Sequence, residues 1–539
     1  MAFKQETRRA ERARVLKVLV CTMLLGGAAA LAACGSSVPP AGSADASCNT
    51  TGTWPSTALA AADATTVDPS QFLSADQLRV WGQDLDQRGL RATGTAPHED
   101  YIDELRRRLA CAGVTQLSYE SVPLTRWSVD SWSLAIASGP SAGPLQTAAY
   151  IPYSGSTPAQ GVTAPLVYLD ASTAPTAANA GGKIVLFDSP PGSLPMLGFE
   201  LLALDTYDPN LQVNPTQTYV RPYLSQPTAI LDQLTAAGAA GGIAIIPSPY
   251  ATAHGAYFPY DRKLRGAPSL FVDMNVGAQL KALADGKTLV TLNLPATVQQ
   301  VTTRNLIGII PGASDELTVI NSHTDGSNGV EDNGPNAIVG MAQYLVRLPK
   351  SALPRTIMLL LSSGHFAGGI GAEGFLAAHK SDGLLDRIAS IVTIEHLGAQ
   401  EWLPDGNGLL APTGKPEAGA FFVPKNQALA NASYAALKGA DAGPSFVLPP
   451  LNANGDGTAD NPVWPGEGQY FYGEAHLPTA NYITGPYYLL NWGVSTADKI
   501  DFERMRREMI SFTQMQLDLS RVSSADLHAA SAVVLPAPP

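Results

Sequence analysis

The sequence predicts an α/β fold, in which a mostly parallel sheet is flanked by helices and preceded by an inserted β-rich module. After Asn305, apolar strands alternate with helical patterns, which is typical of a parallel sheet covered on both faces. Near Trp127 the helical periodicity gives way to short apolar runs between Gly, Pro and Ser turns. The 539 residues exceed one ordinary domain, and a 45% hydrophobic content allows large buried cores.

The first 33 residues have the pattern of a signal peptide. A basic region is followed by the short apolar segment Val18–Ala30 and by "LAAC", which ends at Cys34. The cysteine after the predicted cleavage point resembles a bacterial lipobox, which implies a diacylglyceryl group on Cys34. The alternative is an ordinary secretory signal with a chance cysteine. We therefore expect a protein that is lipid-anchored at the outer face of the bacterial cell membrane.

Charge and cysteine content narrow the class of protein further. Residues 1–33 contain six Lys or Arg and two Asp or Glu, so their removal changes the net charge from −12 to −16. The sequence after residue 33 contains no basic patch that would indicate a nucleic-acid partner. Cys48 and Cys111 remain after the signal peptide and Cys34 are set aside, and a pair in an oxidising compartment predicts a disulfide. Two separate thiols are the alternative.

Changes of pattern along the chain predict its domains. Ser74 begins a capping-box pattern, and Tyr101, Ile102, Leu105 and Leu109 share one face of a second helix. The predicted order is signal peptide 1–33, tether 34–68, N-terminal helices 69–126, β-rich insertion 127–298, α/β domain 299–525 and tail 526–539. The long Pro/Gly/Asn-rich segment Gln400–Gly473 suggests a lid or a binding wall.

Ionisable residues follow the apolar runs of the predicted sheet, where functional side chains gather in α/β folds. They are His323, Asp325, Asp332, His365, Glu395 and His396. Imidazole and carboxylate ligands together suit zinc, and three protein ligands with one open position are typical of a catalytic zinc site. Asp325, two residues after His323, could orient that ring. The sequence therefore predicts a zinc site at this edge of the sheet.

These motifs resemble metallopeptidase family 28, the zinc aminopeptidase and glutamate carboxypeptidase-like group. The resemblance rests on "HTD…EDNGPNAIVGMAQYL", and it extends over roughly residues 70–525. "RATGTAPHEDYIDELRRRLACAGV" is similar to the N-terminal helices of that family, and the block near 130–295 is similar to a protease-associated domain. The resemblance implies a zinc-aminopeptidase-like domain that hydrolyses peptide or amide bonds.

The resemblance also implies roles for individual residues. His323, Asp332 and Glu395 match the three ligands of the first metal of the family, and Asp325 matches the orienting aspartate. His365 and Phe366 stand where the family has a Glu-Glu pair, and "GPYYLLNWG" lacks the late histidine, so the second metal loses two ligands. We therefore expect one zinc ion, with His365 as the general base.

Other interpretations of the sequence remain open. A catalytically degenerate protein could keep the peptidase fold, bind no zinc and recognise peptide, glycan or protein ligands. An aminoacyl cyclase or deacylase is a second enzymatic alternative. His396 or His476 could replace a missing ligand. "GPSAG" at 139–143 matches a serine-hydrolase motif but lacks its strand–turn–helix context.

Overall fold

A computed structural model of the protein describes residues 54–452 and 462–529. The predicted signal peptide, the predicted lipid site Cys34 and Cys48 lie outside the described residues. Cys111 is disulfide-bonded. Within the described ranges, no helix combines the length and the apolar composition that a membrane span requires.

The described residues form twenty-three strands and twelve α-helices. The strands are β1 (Gln116–Val129), β2 (Ser133–Ile136), β3 (Gly143–Leu145), β4 (Ala149–Tyr150), β5 (Val162–Tyr168), β6 (Ile184–Asp188), β7 (Gly192–Pro195), β8 (Asp205–Tyr207), β9 (Thr218–Arg221), β10 (Gly241–Ile245), β11 (Ser269–Val272), β12 (Asp285–Asn293), β13 (Ala296–Ile310), β14 (Ser314–His323), β15 (Arg355–Ser362), β16 (Ile388–Ile394), β17 (Gln400–Pro404), β18 (Leu410–Pro416), β19 (Gly419–Phe422), β20 (Ser445–Leu448), β21 (Leu451–Asn452), β22 (Pro462–Val463) and β23 (Thr479–Thr484). The helices are α1 (Ala75–Gln87), α2 (Ala96–Cys111), α3 (Met196–Leu202), α4 (Thr228–Ala236), α5 (Tyr250–Ala253), α6 (Met274–Leu283), α7 (Gly334–Leu345), α8 (Ile370–Ala378), α9 (Gln427–Ala440), α10 (Gly468–Ala475), α11 (Phe502–Leu519) and α12 (Ser524–His528).

A nine-stranded sheet forms the centre of the α/β part. Its strand order is β1-β13-β15-β14-β16-β23-β19-β20-β8. The central strands β15, β14, β16 and β23 run parallel, whereas β1, β13 and the pair β19/β23 contribute antiparallel pairings. The predicted α/β class is confirmed, but the sheet is mixed. The parallel strands are the fully buried apolar runs that the sequence shows most clearly.

Helices cover both faces of this sheet. On one face, the completely buried helix α7 and the closing helix α11 pack together with α1. On the other face, α8 and α10 cover apolar side chains of the central strands, among them Val319 and Ile391. Pro335 lies in the first turn of α7, as the sequence predicts. The carboxyl ends of β14, β15 and β16 are therefore fixed between two packed layers.

The β-rich insertion forms its own eight-stranded sheet, with the order β3-β2-β12-β5-β6-β10-β11-β4. It is entered and left through β1 and β13, which pair over their whole shared length, so the predicted limits 127 and 298 fall inside these two strands. The insertion also gives β8 to the edge of the large sheet. Strands β19 and β20 and helix α9 lie in the predicted loop Gln400–Gly473, which is more regular than its composition suggests.

Candidate metal centre

The ionisable residues at the strand ends meet in one buried cluster. His323 is the last residue of β14, and Glu395 and His396 directly follow β16. His365 lies in a short turn after β15, and Glu331 lies in the loop that leads into α7. These five side chains are between 0% and 5% exposed. The strand ends therefore bring together residues that are up to 73 positions apart in the sequence.

The polar atoms of the cluster lie within a few ångströms of one another. His323 Nε2 is 3.6 Å from Glu395 Oε2. The Nε2 atoms of His365 and His396 are each 3.8 Å from Glu331 Oε1. These distances are too long for hydrogen bonds. The facing nitrogen and oxygen atoms therefore do not satisfy one another by direct hydrogen bonds.

Each of the three imidazoles is held by a hydrogen bond at Nδ1. His323 Nδ1 donates to the carbonyl oxygen of Asp325 at 2.8 Å, and His396 Nδ1 donates to that of Thr484 at 2.6 Å. A carbonyl only accepts, so both rings donate from Nδ1, and the neutral form of each ring has its lone pair on Nε2. His365 Nδ1 lies 3.0 Å from Glu467 Oε1. Metal-binding histidines are oriented in this way in proteins.

Four atoms of the cluster are buried and have no hydrogen-bond partner. They are His323 Nε2, His396 Nε2, Glu331 Oε2 and Glu395 Oε2. Buried polar atoms without a partner are rare because they lose the free energy of hydration without compensation. A divalent cation would satisfy two lone pairs and two carboxylate oxygens at once. The donor set, imidazole nitrogen and carboxylate oxygen, is the one that zinc prefers.

Among the residues that the structure describes, two groups of three have ligand atoms close enough for one ion. They are His323 with Glu331 and His396, and His323 with His365 and Glu395. A metal lies near the plane of every imidazole that binds it. The rings of His323 and His365 are stacked 4.1 Å apart at 15°, so their planes do not converge on a nearby point. The rings of His323 and His396 are inclined at 75° and can share an ion, which favours the first group.

The charges in the cluster also fit a cation. Burial raises the pKa of Glu331 to about 8, against the attraction of His323 and His365. Burial acts against the ionised form of Glu395 as well, but the positive charge of nearby His323 lowers the pKa of that carboxyl to about 2. Burial likewise opposes protonation of His323, yet the charges of Glu331 and Glu395 raise the pKa of this ring well above 6.5 in the metal-free protein. Burial lowers the pKa of His396 to about 4, so its ring is neutral near pH 7. A neutral imidazole beside two acids is the form in which histidine binds metals.

No protein-family profile and no curated protein sequence matches the chain. Solved structures do match. A zinc aminopeptidase from Bacillus subtilis superposes with a TM-score of 0.57 at 17% identity, over 84% of this chain and 97% of that one. The fold is that of the zinc aminopeptidases. A peptidase M28 precursor from Shewanella amazonensis gives a TM-score of 0.55 at 16% identity, covering 83% and 98% of the two chains. An aminopeptidase from Aneurinibacillus sp. strain AM-1 gives 0.52 at 15%, covering 82% and 93%.

Within this aminopeptidase fold, the Asp332 carboxylate is paired with Arg91 and is not among the unpartnered atoms. This carboxylate accepts two hydrogen bonds from Arg91, the one from Nε at 2.8 Å, and both side chains are fully buried. Asp332 was predicted as a metal ligand, yet it belongs to neither three-residue group, and its neighbour Glu331 faces the histidines instead. The sequence alone does not distinguish these two adjacent acids as metal ligands, because the direction of each side chain depends on the loop conformation.

Asp325 fixes the cluster differently from the sequence prediction. Its backbone carbonyl, rather than its carboxylate, holds the His323 ring. The carboxylate accepts hydrogen bonds from the backbone N–H groups of Gly364, His365 and Phe366, at 2.8 to 3.1 Å. Asp325 thereby holds the turn that carries His365. This aspartate supports both rings of the stacked pair, one through its backbone carbonyl and the other through its carboxylate.

Sequence reasoning missed two further residues. Glu467 is fully buried, and it contacts His365 through its side chain and Glu395 through its backbone N–H at 2.7 Å. Arg91 lies in a segment that was assigned only to the N-terminal helices. His476 ends α10, packs edge-on against Tyr472 and is absent from both three-residue groups. Neither Glu467 nor Arg91 lies near a strand end that would have drawn attention to it.

Proposed function

We propose that the protein is a metal-dependent hydrolase of peptide or amide bonds, with one zinc ion held by His323, Glu331 and His396. The observation that carries this proposal is the convergence of four buried, unpartnered nitrogen and oxygen atoms. Glu395, whose free oxygen is 3.6 Å from His323 Nε2, is the nearest further carboxylate. The aminopeptidase fold supports the peptide or amide substrate class.

When bound there, zinc would polarise a carbonyl group and increase the acidity of water. The general base is His365. Its Nδ1 hydrogen is directed to Glu467, so its Nε2 lone pair is available for a proton. Glu467 Oε2 accepts a hydrogen bond from the Ser362 hydroxyl at 3.0 Å, which fixes the carboxylate behind the ring. His365 would take a proton from the attacking water at Nε2 and deliver it to the leaving amine.

His365 is also the most accessible member of the cluster, at 5% exposed, whereas His323 and Glu395 are fully buried. The aromatic ring of Tyr260, from the insertion, lies 5.4 Å from the His365 ring. These facts support an approach of substrate from the side of His365, between the insertion and the turn after β15. The base would then meet the substrate first, and the metal ligands would remain shielded from bulk water.

The proposal is tested by hydrolysis of chromogenic peptidyl amides with the purified full chain loaded with zinc. We expect His365→Ala to lower kcat by about 100-fold or more while zinc remains bound. His476→Ala is the matched control, because this histidine lies outside the cluster, and its activity should equal that of the wild type. A wild-type protein that binds zinc but cleaves no amide in a broad panel would favour the alternative, a binding protein on a peptidase fold.

We further propose that the protein is anchored by lipid to the outer face of the cell membrane. The "LAAC" pattern that ends at Cys34 supports this location. A Cys34→Ser variant should move from the membrane fraction to the soluble fraction after expression in bacteria. A variant that stays in the membrane fraction to the same extent as the wild type would contradict the lipid anchor.

A further inference from the structure

A second buried charged cluster lies where the insertion contacts the α/β domain. Arg221, at the end of β9, is 2% exposed, and Glu417, after β18, is fully buried. The Arg221 guanidinium donates to both carboxylate oxygens of Glu417, at 2.7 and 2.9 Å. Its Nη1 donates to the carbonyl of Val220 at 2.9 Å. The hydroxyl of Tyr219 lies 2.8 Å from Glu417 Oε1.

Attaching one part of a protein to another through a buried ion pair costs free energy, because both charges lose their hydration. Burial raises the pKa of Glu417 to about 7, although Arg221 and Tyr219 favour the ionised form. Buried ion pairs are often no more stabilising than apolar side chains of the same volume. The same insertion is already attached by apolar packing, for example where Phe199 stacks on Phe446. Attachment alone therefore does not explain the charged cluster. A bidentate arginine also fixes the geometry of the groups that it binds.

The cluster holds one particular peptide group of the α/β domain. Arg221 Nε donates to the carbonyl of Gly485 at 3.0 Å, and the Tyr219 hydroxyl lies 2.8 Å from the same oxygen. Gly485 directly follows β23. A Cβ atom at this position would lie only 2.1 Å from the hydroxyl of Tyr223, so the backbone fits tightly against the insertion.

The residue before Gly485 holds the metal ligand His396. The Thr484 carbonyl accepts the Nδ1 hydrogen of His396 at 2.6 Å, and the Thr484 hydroxyl donates to the His396 carbonyl at 2.7 Å. His396 needs such support, because its φ angle of 58° lies in the left-handed region that residues other than glycine rarely adopt. A shift of residues 484 and 485 would therefore move the ring of His396, which the Thr484 carbonyl holds, and its backbone, which the Thr484 hydroxyl holds.

We propose that Arg221 and Tyr219 of the insertion are positioning residues for the metal centre. They fix the carbonyl of Gly485, and the adjoining carbonyl of Thr484 fixes the ring of His396 with Nε2 facing Glu331. This inference rests on the proposed function for the role of His396 as a ligand. According to this inference, the β-rich insertion helps to position a ligand of the metal centre.

Arg265 provides a matched control. It is 8% exposed, and its guanidinium donates to Asp232 at 2.8 Å and to Asp261 at 3.0 Å. All three residues belong to the insertion, and none contacts the 484–485 peptide. Arg265→Gln thus removes a buried guanidinium from two partly exposed carboxylates in the same module, without touching the support of His396.

The test compares Arg221→Gln with Arg265→Gln in the full chain, with ¹⁵N-labelled histidine. The imidazole signals of metal-free protein are recorded by NMR, with His396 assigned from the signal lost in His396→Asn, and zinc affinity is measured by competition with a chromogenic chelator. We expect Arg221→Gln to shift the His396 nitrogen signals and to raise the dissociation constant of zinc by about 10- to 100-fold. Arg265→Gln should change neither quantity.

Unchanged His396 signals and unchanged zinc affinity in Arg221→Gln would overturn the inference. If Arg221→Gln does not fold, Tyr219→Phe decides instead, since it removes only one hydroxyl beside the Gly485 carbonyl. It should shift the same signals by a smaller amount, and no shift would overturn the inference. The metal-free NMR result separates the two proposals. If the wild type binds no zinc but the His396 signals still respond to Arg221→Gln, the metal site is refuted and the role of Arg221 in positioning His396 is retained.

Discussion

Two buried charged clusters are joined by the adjacent residues Thr484 and Gly485, and they differ in how their polar atoms are satisfied. In the Arg221–Glu417 cluster, no buried side-chain polar atom lacks a hydrogen-bond partner. In the His323–His396 cluster, four buried atoms lack one. Both clusters are equally removed from solvent, so burial of charge does not by itself indicate a ligand site. Buried polar atoms without a hydrogen-bond partner are what distinguish the candidate metal site from the Arg221–Glu417 cluster.

The difference between the two clusters is tested most strongly when one acid in each cluster is replaced by its neutral amide. In metal-free protein at neutral pH, Glu417→Gln should lower the free energy of unfolding by about 3–5 kcal/mol, because the buried Arg221 loses its bidentate partner and keeps only the partly exposed Glu401, at 3.3 Å. Glu331→Gln should raise it by about 1–3 kcal/mol, because it removes an acid whose burial is uncompensated.

Urea denaturation of the two variants measures these changes. Glu373→Gln, at a partly exposed pair with Arg262, is the control and should change the free energy by about 1 kcal/mol or less. If Glu331→Gln proved as destabilising as Glu417→Gln, the two clusters would be of the same kind and the metal site would lose its main support.

A second prediction concerns the satisfied pair at the edge of the metal centre. Arg91→Met should lower the free energy of unfolding by about 3–5 kcal/mol, because Asp332 would remain buried and unpaired. Arg79→Met breaks an exposed pair with Asp76 and should cost about 1 kcal/mol or less. Equal effects of the two variants in urea denaturation would show that Arg91 does not neutralise Asp332.

Zinc should stabilise the unsatisfied cluster specifically. At a free zinc concentration of 100 times the dissociation constant, the gain is about 2.7 kcal/mol, and removal of zinc with a chelator should reverse it. Differential scanning calorimetry should show the corresponding rise in Tm for the wild type and for His476→Ala, but not for His323→Ala. A rise of the same size in His323→Ala would place the binding of zinc elsewhere.

The smallest effect is expected at a histidine on the surface. His379 lies between Glu120 and Asp382, at 2.7 and 2.6 Å, and although burial opposes protonation, its hydrogen bond to Glu120 raises its pKa above 6.5. The protonated ring stabilises the fold below the unfolded-state pKa, and this contribution is lost as the pH rises through the raised value. His379→Gln should therefore cost less than about 1 kcal/mol at pH near 5 and nothing near pH 9. A larger cost at high pH would contradict this sign.

The residues at the strand ends could be identified from local pattern. His323 ends a strongly apolar strand, Glu395 and His365 come after two others, and strand ends can be recognised without knowledge of the rest of the chain. The central parallel strands were predicted for the same reason. The antiparallel pairings of β8 and β19 were not, because these strands are short and their partners come from distant segments.

The remaining members of the site depend on contacts over long distances in sequence. Arg91 is 241 residues from Asp332, and Glu467 is 102 residues from His365. No periodicity or spacing connects such pairs. His396 should point away from Glu395 in a continuing strand, but its left-handed backbone turns it back into the cluster.

The most direct test of the metal centre is a count of bound metal. Zinc is measured by elemental mass spectrometry in the purified wild type, in His396→Ala and in Asp332→Asn. We predict one equivalent in the wild type, none in His396→Ala and one in Asp332→Asn, where the amide still accepts a hydrogen bond from Arg91. No zinc in the wild type after reconstitution, or zinc kept in His396→Ala and lost in Asp332→Asn, would contradict the site described by His323, Glu331 and His396.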